Sequence, residues 1–249
     1  MPAQDDARER QMIDRFNLIV PEGRGRSDVD AYLRMADIDE PLPFELKSTT
    51  KNSVSTVRDF GPEHITKWRH LHWLFALYDS SGIRMLQCYY ASPADMRRWI
   101  EDKEAYVRPD MLLAERALQT LDMRIVDDVF GDAETFSIDK AQSIMKRQWS
   151  VAEYKRRADL DGDRFSRTAM LEVLRARLGY VIRRGATLNN PHIPVTYFEE
   201  VGLQAITEDH AATLRRLVQD YLDSGVPGAG LDPVIAAQAN AAATDDATA

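Results

Sequence analysis

Two short stretches decide the reading of the chain: DVDAYLRM at residues 28–35 and FELKST at residues 44–49. Both read as strands, the first by alternation and the second by its apolar frame. Residues two apart on a strand share a face, which groups Asp28 with Asp30 and Glu45 with Lys47. If the strands are neighbours, two or three carboxylates and one ammonium converge. Carboxylate oxygens are hard ligands suited to Mg2+, which keeps several waters and takes one or two protein carboxylates plus phosphate. A lysine beside such a metal orients or deprotonates a water and steadies charge developing on phosphate. That set of groups suits phosphodiester hydrolysis by in-line attack. An isolated Glu-x-Lys triplet is ordinarily a solvated strand face. Here Phe44 and Leu46 frame it, which predicts a central strand.

Working outward, residues 3–17 predict a helix with acids crowding its first turn, where the helix dipole favours them. PEGRGRS at 21–27 is a basic, turn-rich loop. KNSVSTVRDFG at 51–61 is a polar loop or a poorly formed strand. Pro62 suits the first turn of a helix. Apolar residues at 65, 68, 71, 75 and 78 predict that this helix runs over 63–78. Residues 83–91 form a strand, and Ser92-Pro93 starts another helix as N-cap and first helical residue. The expected order is αβββαβ, an α/β arrangement with a mixed sheet core. The second half predicts helices over 110–121, 137–148, 151–158, 166–180 and 208–222. Residues 226–249 carry no lysine or arginine and read as a disordered tail. The expected division is a catalytic core over 1–108, a helical part over 109–225 for recognition or dimerisation, and the tail.

The pattern Asp28/Asp30 with Glu45-Leu46-Lys47 on adjoining strands resembles the PD-(D/E)xK nuclease superfamily. The continuation KSTTKNSVSTVRDFGPEHITKW resembles type II restriction endonucleases. The likeness covers roughly residues 5–91. It implies a restriction-endonuclease-like mixed-sheet core and a Mg2+ cofactor, with Mn2+ as a substitute. It implies that Glu45 and one aspartate hold the metal and that Lys47 works on the water. The products would be 5′-phosphate and 3′-hydroxyl ends. The proline usual before the aspartate is absent, which leaves Asp28 and Asp30 both open. Glu9, on the first helix, and Glu22 are further carboxylate candidates.

The chain has 249 residues and a net charge of −8, with 44% hydrophobic and 29% charged residues. That is the composition of a folded globular chain rather than a disordered one. No run of about 20 apolar residues suggests a membrane span. The first residues lack the basic start and apolar core of a signal peptide, so the expected location is the cytoplasm. The single cysteine, Cys88, excludes an internal disulfide and a cysteine-based zinc site. Net charge points away from nucleic acid, but its distribution does not. Residues 146–184 hold eleven Lys/Arg against five acids. Such a segment suits phosphate binding. Lys155, Arg156, Arg157, Arg183 and Arg184 are the expected contacts to double-stranded DNA, with Asn189 and Asn190 in a loop able to read base edges. Lys51, Asn52, Ser53 and Arg58 form a second candidate surface, and Arg24 and Arg26 flank the expected site. Asp159 to Asp163 resembles the opening of an EF-hand loop. Arg164 stands where the turn glycine is needed and Met170 where the bidentate glutamate is, so the segment reads as a turn. His64, His70 and His72 read as packing or surface residues. The expectation is a Mg2+-dependent homodimeric restriction endonuclease. The competitors are a structure-specific repair or recombination nuclease of the same fold and a non-catalytic DNA-binding protein.

Overall fold

The computed structural model describes residues 2–21, 23–24, 28–58 and 60–226. In chain order the first elements are α1 (Pro2–Phe16), β1 (Ala31–Leu33), β2 (Leu42–Thr49), β3 (Ser53–Ser55), α2 (Pro62–Trp68), β4 (His72–Tyr78), β5 (Met85–Ala91) and α3 (Pro93–Thr120). There follow α4 (Met123–Phe130), β6 (Thr135–Phe136), α5 (Ile138–Met145), α6 (Val151–Arg157), β7 (Phe165–Ser166) and α7 (Arg167–Ala186). The described chain closes with β8 (His192–Pro194), α8 (Thr196–Glu200), β9 (Ala205–Ile206) and α9 (His210–Asp223). No described helix is long and apolar enough to cross a membrane. The tail from residue 227 lies outside the described residues.

Two compact units divide the chain. One combines Met1–Glu104 with everything from Leu188 onward; the other is Ala105–Thr187. The sequence reading places its first boundary at 108; the first segment of this unit ends at Glu104. What sequence order hid is the return of the chain after residue 187, which supplies β8, α8, β9 and α9 to the first unit.

The first unit is built on a five-stranded mixed sheet in the order β1-β2-β4-β5-β9. β2 and β4 are parallel neighbours joined through α2, and the other pairs are antiparallel. Period-two alternation sorts the side chains of the sheet. Phe44 and Leu46 of β2, Leu74, Ala76 and Tyr78 of β4, and Cys88 and Tyr90 of β5 belong to one buried cluster. Met12 and Phe16 of α1 and Leu214 and Val218 of α9 join them. The alternate residues supply Trp73 and Phe75. Trp73 packs on Trp68 of α2 at 4.9 Å between ring centroids, and Phe75 on Phe198 of α8 at 4.7 Å. Glu45 and Lys47 are in register with Trp73 and Phe75, on this second face.

The helix expected over 63–78 is corrected. Only Pro62–Trp68 is helical, and His72–Tyr78 is the central strand β4. A fully buried strand is apolar on both faces, so its residues satisfy a helical template by accident. A turn from Trp68 O to Leu71 N separates the two elements. The helix from Ser92 and the one expected over 110–121 are a single helix, α3, which continues through Pro109. Ser92 and Asp95 cap it reciprocally, Asp95 Oδ2 accepting from Ser92 N at 2.8 Å and Ser92 Oγ from Asp95 N at 3.2 Å.

In the second unit, α4–α5 and α6–α7 are two helix–loop–helix pairs whose loops meet through the two-residue strands β6 and β7. Val126, Phe136, Met145, Tyr154, Phe165 and Met170 fill their shared core. Asp122, Ser137, Ser150 and Ser166 each cap the helix that follows.

His72 opens β4 fully inside the first unit, with Nδ1 2.8 Å from Tyr90 Oη and its ring stacked on Phe44. Burial depresses its pKa to about 3. A histidine in the unfolded chain titrates near about 6.5. Below that pH the unfolded state takes a proton that the native state refuses, so stability falls as pH drops from about 6.5 toward 3. The expected loss is on the order of a few kcal/mol. His72→Phe should flatten this slope in urea titrations between pH 6.5 and 4 followed by tryptophan fluorescence; an unchanged slope would show that His72 titrates normally.

Candidate active site

The antiparallel register of β1 on β2 pairs Ala31 with Phe44. One residue earlier, Asp30 falls opposite Glu45, and directly opposed residues share a face. Asp30 Oδ2 accepts a hydrogen bond from Leu46 N at 2.8 Å, which fixes the carboxylate against β2. Lys47 Nζ donates to Glu45 Oε1 at 2.6 Å and to Leu46 O at 3.3 Å, and lies 3.6 Å from Asp30 Oδ2. Three oxygens from two adjacent strands thus surround one ammonium.

Asp30 is the aspartate that the strand register delivers to Glu45 and Lys47. Asp28 lies before β1 with its side chain exposed, and its main-chain carbonyl accepts from Lys67 Nζ at 2.7 Å. Arg24 closes the other side. Its guanidinium donates to Asp30 Oδ1 at 3.0 Å, to Asp30 O at 3.1 Å and to Glu9 of α1. Glu9, expected as an auxiliary carboxylate, therefore reaches the cluster through Arg24. Glu22 and Arg26 lie outside the described residues.

Lys67 was not legible as a site residue. It projects from α2 with Nζ 3.6 Å from Glu45 Oε2, so Glu45 stands between two ammonium groups. His64, three residues earlier on the same helix, feels the charges of Lys67, Glu45 and Lys47. Burial first, and then Lys67, holds its pKa below the ordinary histidine value. The signal was an i, i+3 spacing on one helix face. It was lost when α2 and β4 were read as one helix.

Glu45 is buried, and its Oε2 makes no hydrogen bond. Burial alone would lower the pKa of Lys47. The charges of Glu45 and Asp30, the hydrogen bond to Glu45 and the more distant Glu9 outweigh it and raise the value above that of an ordinary lysine. Lys47 in this setting keeps its proton and acts as a fixed positive charge. Burial also works against Arg24, and Glu9 and Asp30 again reverse the sign. Among the described residues no group of three or more His, Cys, Asp or Glu is arranged to hold a metal. The cluster offers two carboxylates and the Leu46 carbonyl instead. That is an all-oxygen set, and a hard cation that retains waters can use it.

The remaining expected contacts fall in two places. Lys51, Asn52, Ser53 and Arg58 follow β2, and Asn189 and Asn190 lie before β8; all belong to the first unit. Lys155, Arg156, Arg157, Arg183 and Arg184 belong to the second unit. There Lys155 pairs with Asp163 at 2.9 Å, and Arg156 and Arg157 both pair with Glu153. Arg157 also stacks over Trp149 at 4.3 Å. Arg183 and Arg184 are exposed in the last turn of α7. Asp159 spends its carboxylate on Ser166 N at 2.7 Å and on the Ser166 hydroxyl. With Asp163 on Lys155, the EF-hand-like segment is a turn, as its missing glycine and glutamate predict.

Breaking one side of a buried ion pair strands the other charge, which typically costs about 3–5 kcal/mol. Lys47→Met and Glu45→Gln should each destabilise the first unit on that scale. The double variant should lose well less than the sum of the single losses. Additive losses in urea unfolding would show that Glu45 and Lys47 do not interact. No protein-family model matches the sequence, and no curated protein shows significant similarity to it.

Proposed function

We propose that the chain is a Mg2+-dependent endonuclease of the restriction type, with a restriction-endonuclease-like core, acting on double-stranded DNA. The observation that carries this reading is the convergence of Asp30, Glu45 and Lys47 across β1 and β2, with Lys47 Nζ 2.6 Å from one carboxylate and 3.6 Å from the other. Asp30, Glu45 and the Leu46 carbonyl would hold the metal. The orphaned Glu45 Oε2 is a buried acceptor with capacity to spare. Mg2+, or Mn2+ in its place, supplies Lewis acidity toward a phosphoryl oxygen and acidifies a water.

The protein's own groups then divide the work. The Lys47 ammonium, which keeps its proton, orients the water lone pair toward phosphorus and stabilises the charge gathering on the equatorial oxygens. Arg24, already forked onto Asp30, is placed to take a phosphate oxygen in exchange. Lys67 faces Glu45 from the other side, with Nζ 3.6 Å from Oε2. In-line attack leaves a 5′-phosphate and a 3′-hydroxyl. Cutting both strands of a symmetric site takes two such clusters, which a homodimer provides.

One observation favours a second reading. Arg24, Lys47 and Lys67 match Glu9, Asp30 and Glu45 charge for charge. A balanced network of this kind can be purely structural, in a DNA-binding protein that does not cleave.

Digestion of plasmid DNA with Mg2+, followed by sequencing of the fragment ends, separates these readings. Discrete ends at one short sequence are expected. Lys47→Ala and Asp30→Ala should each lower the cleavage rate at least a hundredfold, an effect on the scale of about 3 kcal/mol in the barrier. Asp28→Ala should cleave within a few-fold of the native chain. Undiminished cleavage by Lys47→Ala would overturn the assignment, scattered ends at branched or damaged sites would favour a repair nuclease, and retention of DNA without cleavage would favour the structural network.

A further inference from the structure

The two polar loops of the first unit, distant in sequence, form one object. β3 and β8 pair antiparallel, with Ser53 opposite Pro194, Val54 opposite Ile193 and Ser55 opposite His192. The pairing extends past the strands in both directions. Val195 N donates to Asn52 O at 3.0 Å, Asn190 N to Val57 O at 3.1 Å, and Phe60 and Leu188 exchange bonds of 2.9 and 3.0 Å. Thr56 Oγ1 donates to Pro191 O at 2.6 Å.

This ribbon has an inner and an outer face. Val54 and Ile193 are fully buried, while Ser55, His192 and Pro194 are exposed on the alternate face. Lys51, Asn52, Arg58 and Asn189 are exposed along its margins. The ribbon is also anchored. Thr49, the last residue of β2, donates from Oγ1 to Ser53 O at 2.7 Å and accepts from Lys51 N at 3.1 Å. Trp99 Nε1 donates to His192 O at 3.4 Å from below. In a chain of net charge −8, neither residues 50–58 nor residues 188–195 contain a single Asp or Glu. The exposed groups of these two segments are therefore cations, amides, a hydroxyl and an imidazole, and Asp59, between Arg58 and Phe60, is the one acid in the sequence of the ribbon.

We propose that the β3–β8 ribbon is the base-reading element of the protein and that it enters the major groove of duplex DNA. The proposal rests on the nuclease reading of the Asp30–Glu45–Lys47 cluster and adds the part of the chain that selects the sequence. The major groove is wide enough for a two-stranded ribbon, and amide, hydroxyl and imidazole groups there meet the donor and acceptor pattern of each base pair. Ser55 and His192, opposed on the outer face, and Asn189 beside them read bases. Lys51 and Arg58 hold phosphates on either side and carry no sequence information. Reach supports the assignment. Ser55 lies eight residues beyond Lys47, at most about 26 Å of extended chain at about 3.3 Å per residue. One base pair rises about 3.4 Å, so the bases read lie within about eight pairs of the phosphate cut.

The full chain should be incubated with a pool of randomised duplexes carrying 5-iodouracil, with Ca2+ in place of Mg2+, irradiated, and the cross-linked peptides mapped. Cross-links are expected on residues 51–58 and 188–194. In the same pool the double variant Ser55→Ala/His192→Ala, checked for a native melting curve, should lose the selected sequence, with at least a tenfold fall in affinity for it. Lys51→Ala/Arg58→Ala should weaken all duplexes alike. Cross-links confined to other segments, or a double variant that selects the same sequence as the native chain, would overturn the ribbon's role while leaving the nuclease reading intact if the ends are still discrete. Failure of the native chain to retain or cut any duplex would remove both.

Discussion

A carboxylate buried on a central strand has to be matched by charge where it stands, and Glu45 imposes that requirement on everything around it. Isolated burial of an ionised carboxylate costs many kcal/mol. Lys47 answers from the same strand face, two residues on, and Lys67 answers from α2. The crossover from β2 to its parallel neighbour carries Lys67 over the strand it has to neutralise. Asp30 then ties β1 to β2 through the Leu46 amide, so one carboxylate serves both as ladder acceptor and as part of the charge cluster. Arg24 and Glu9 finish the network and bring α1 into it. Sheet edge, crossover helix and first helix are thereby set by one electrostatic condition.

The alternation in FELKST was readable because one face of β2 carries apolar residues and the other carries charge. The choice between Asp28 and Asp30 was not, since both have the same parity and register is a property of the partner strand. WLFALY was misread for the opposite reason. A strand buried on both faces has no alternation to detect, and its even hydrophobicity fits any period. The second unit shows another limit. Composition found a positive surplus in residues 146–184, but Lys155, Arg156 and Arg157 are held by Asp163 and Glu153, inside the same stretch. Counting charges along the chain registers the excess and misses the pairing, which three- and four-residue helical spacing creates for Arg156 and Arg157 and the turn after α6 creates for Lys155.

Pairing also separates the two candidate cation loops. Asp159 to Asp163 has the spacing of a calcium loop, yet its first carboxylate caps α7 through Ser166 and its third neutralises Lys155. The Asp159 carboxylate thus has an occupant that the start of α7 uses. At Asp30 and Glu45 the occupant is different in kind. Lys47 is a flexible side chain on four methylenes, able to leave the oxygens without unfolding a helix or a strand. Glu45 Oε2 meanwhile has no hydrogen bond to lose.

The same distinction resolves the paradox of an acidic protein proposed to hold DNA. Its excess negative charge costs binding only where it faces the phosphates. Glu9, Asp30 and Glu45 are neutralised internally, each against a named cation, so the cluster presents little net field. The ribbon segments 52–58 and 188–195 contain no carboxylate and follow the strand that carries Lys47. Long-range attraction of such a protein for DNA is weak, because the net charge of −8 opposes it. On the proposed reading, short-range contact would be favoured, because the groups of the ribbon are pinned by backbone bonds before any ligand arrives. Weak general affinity with a rigid reading surface would raise the ratio of specific to non-specific binding, the ratio that matters for a protein selecting one site among many.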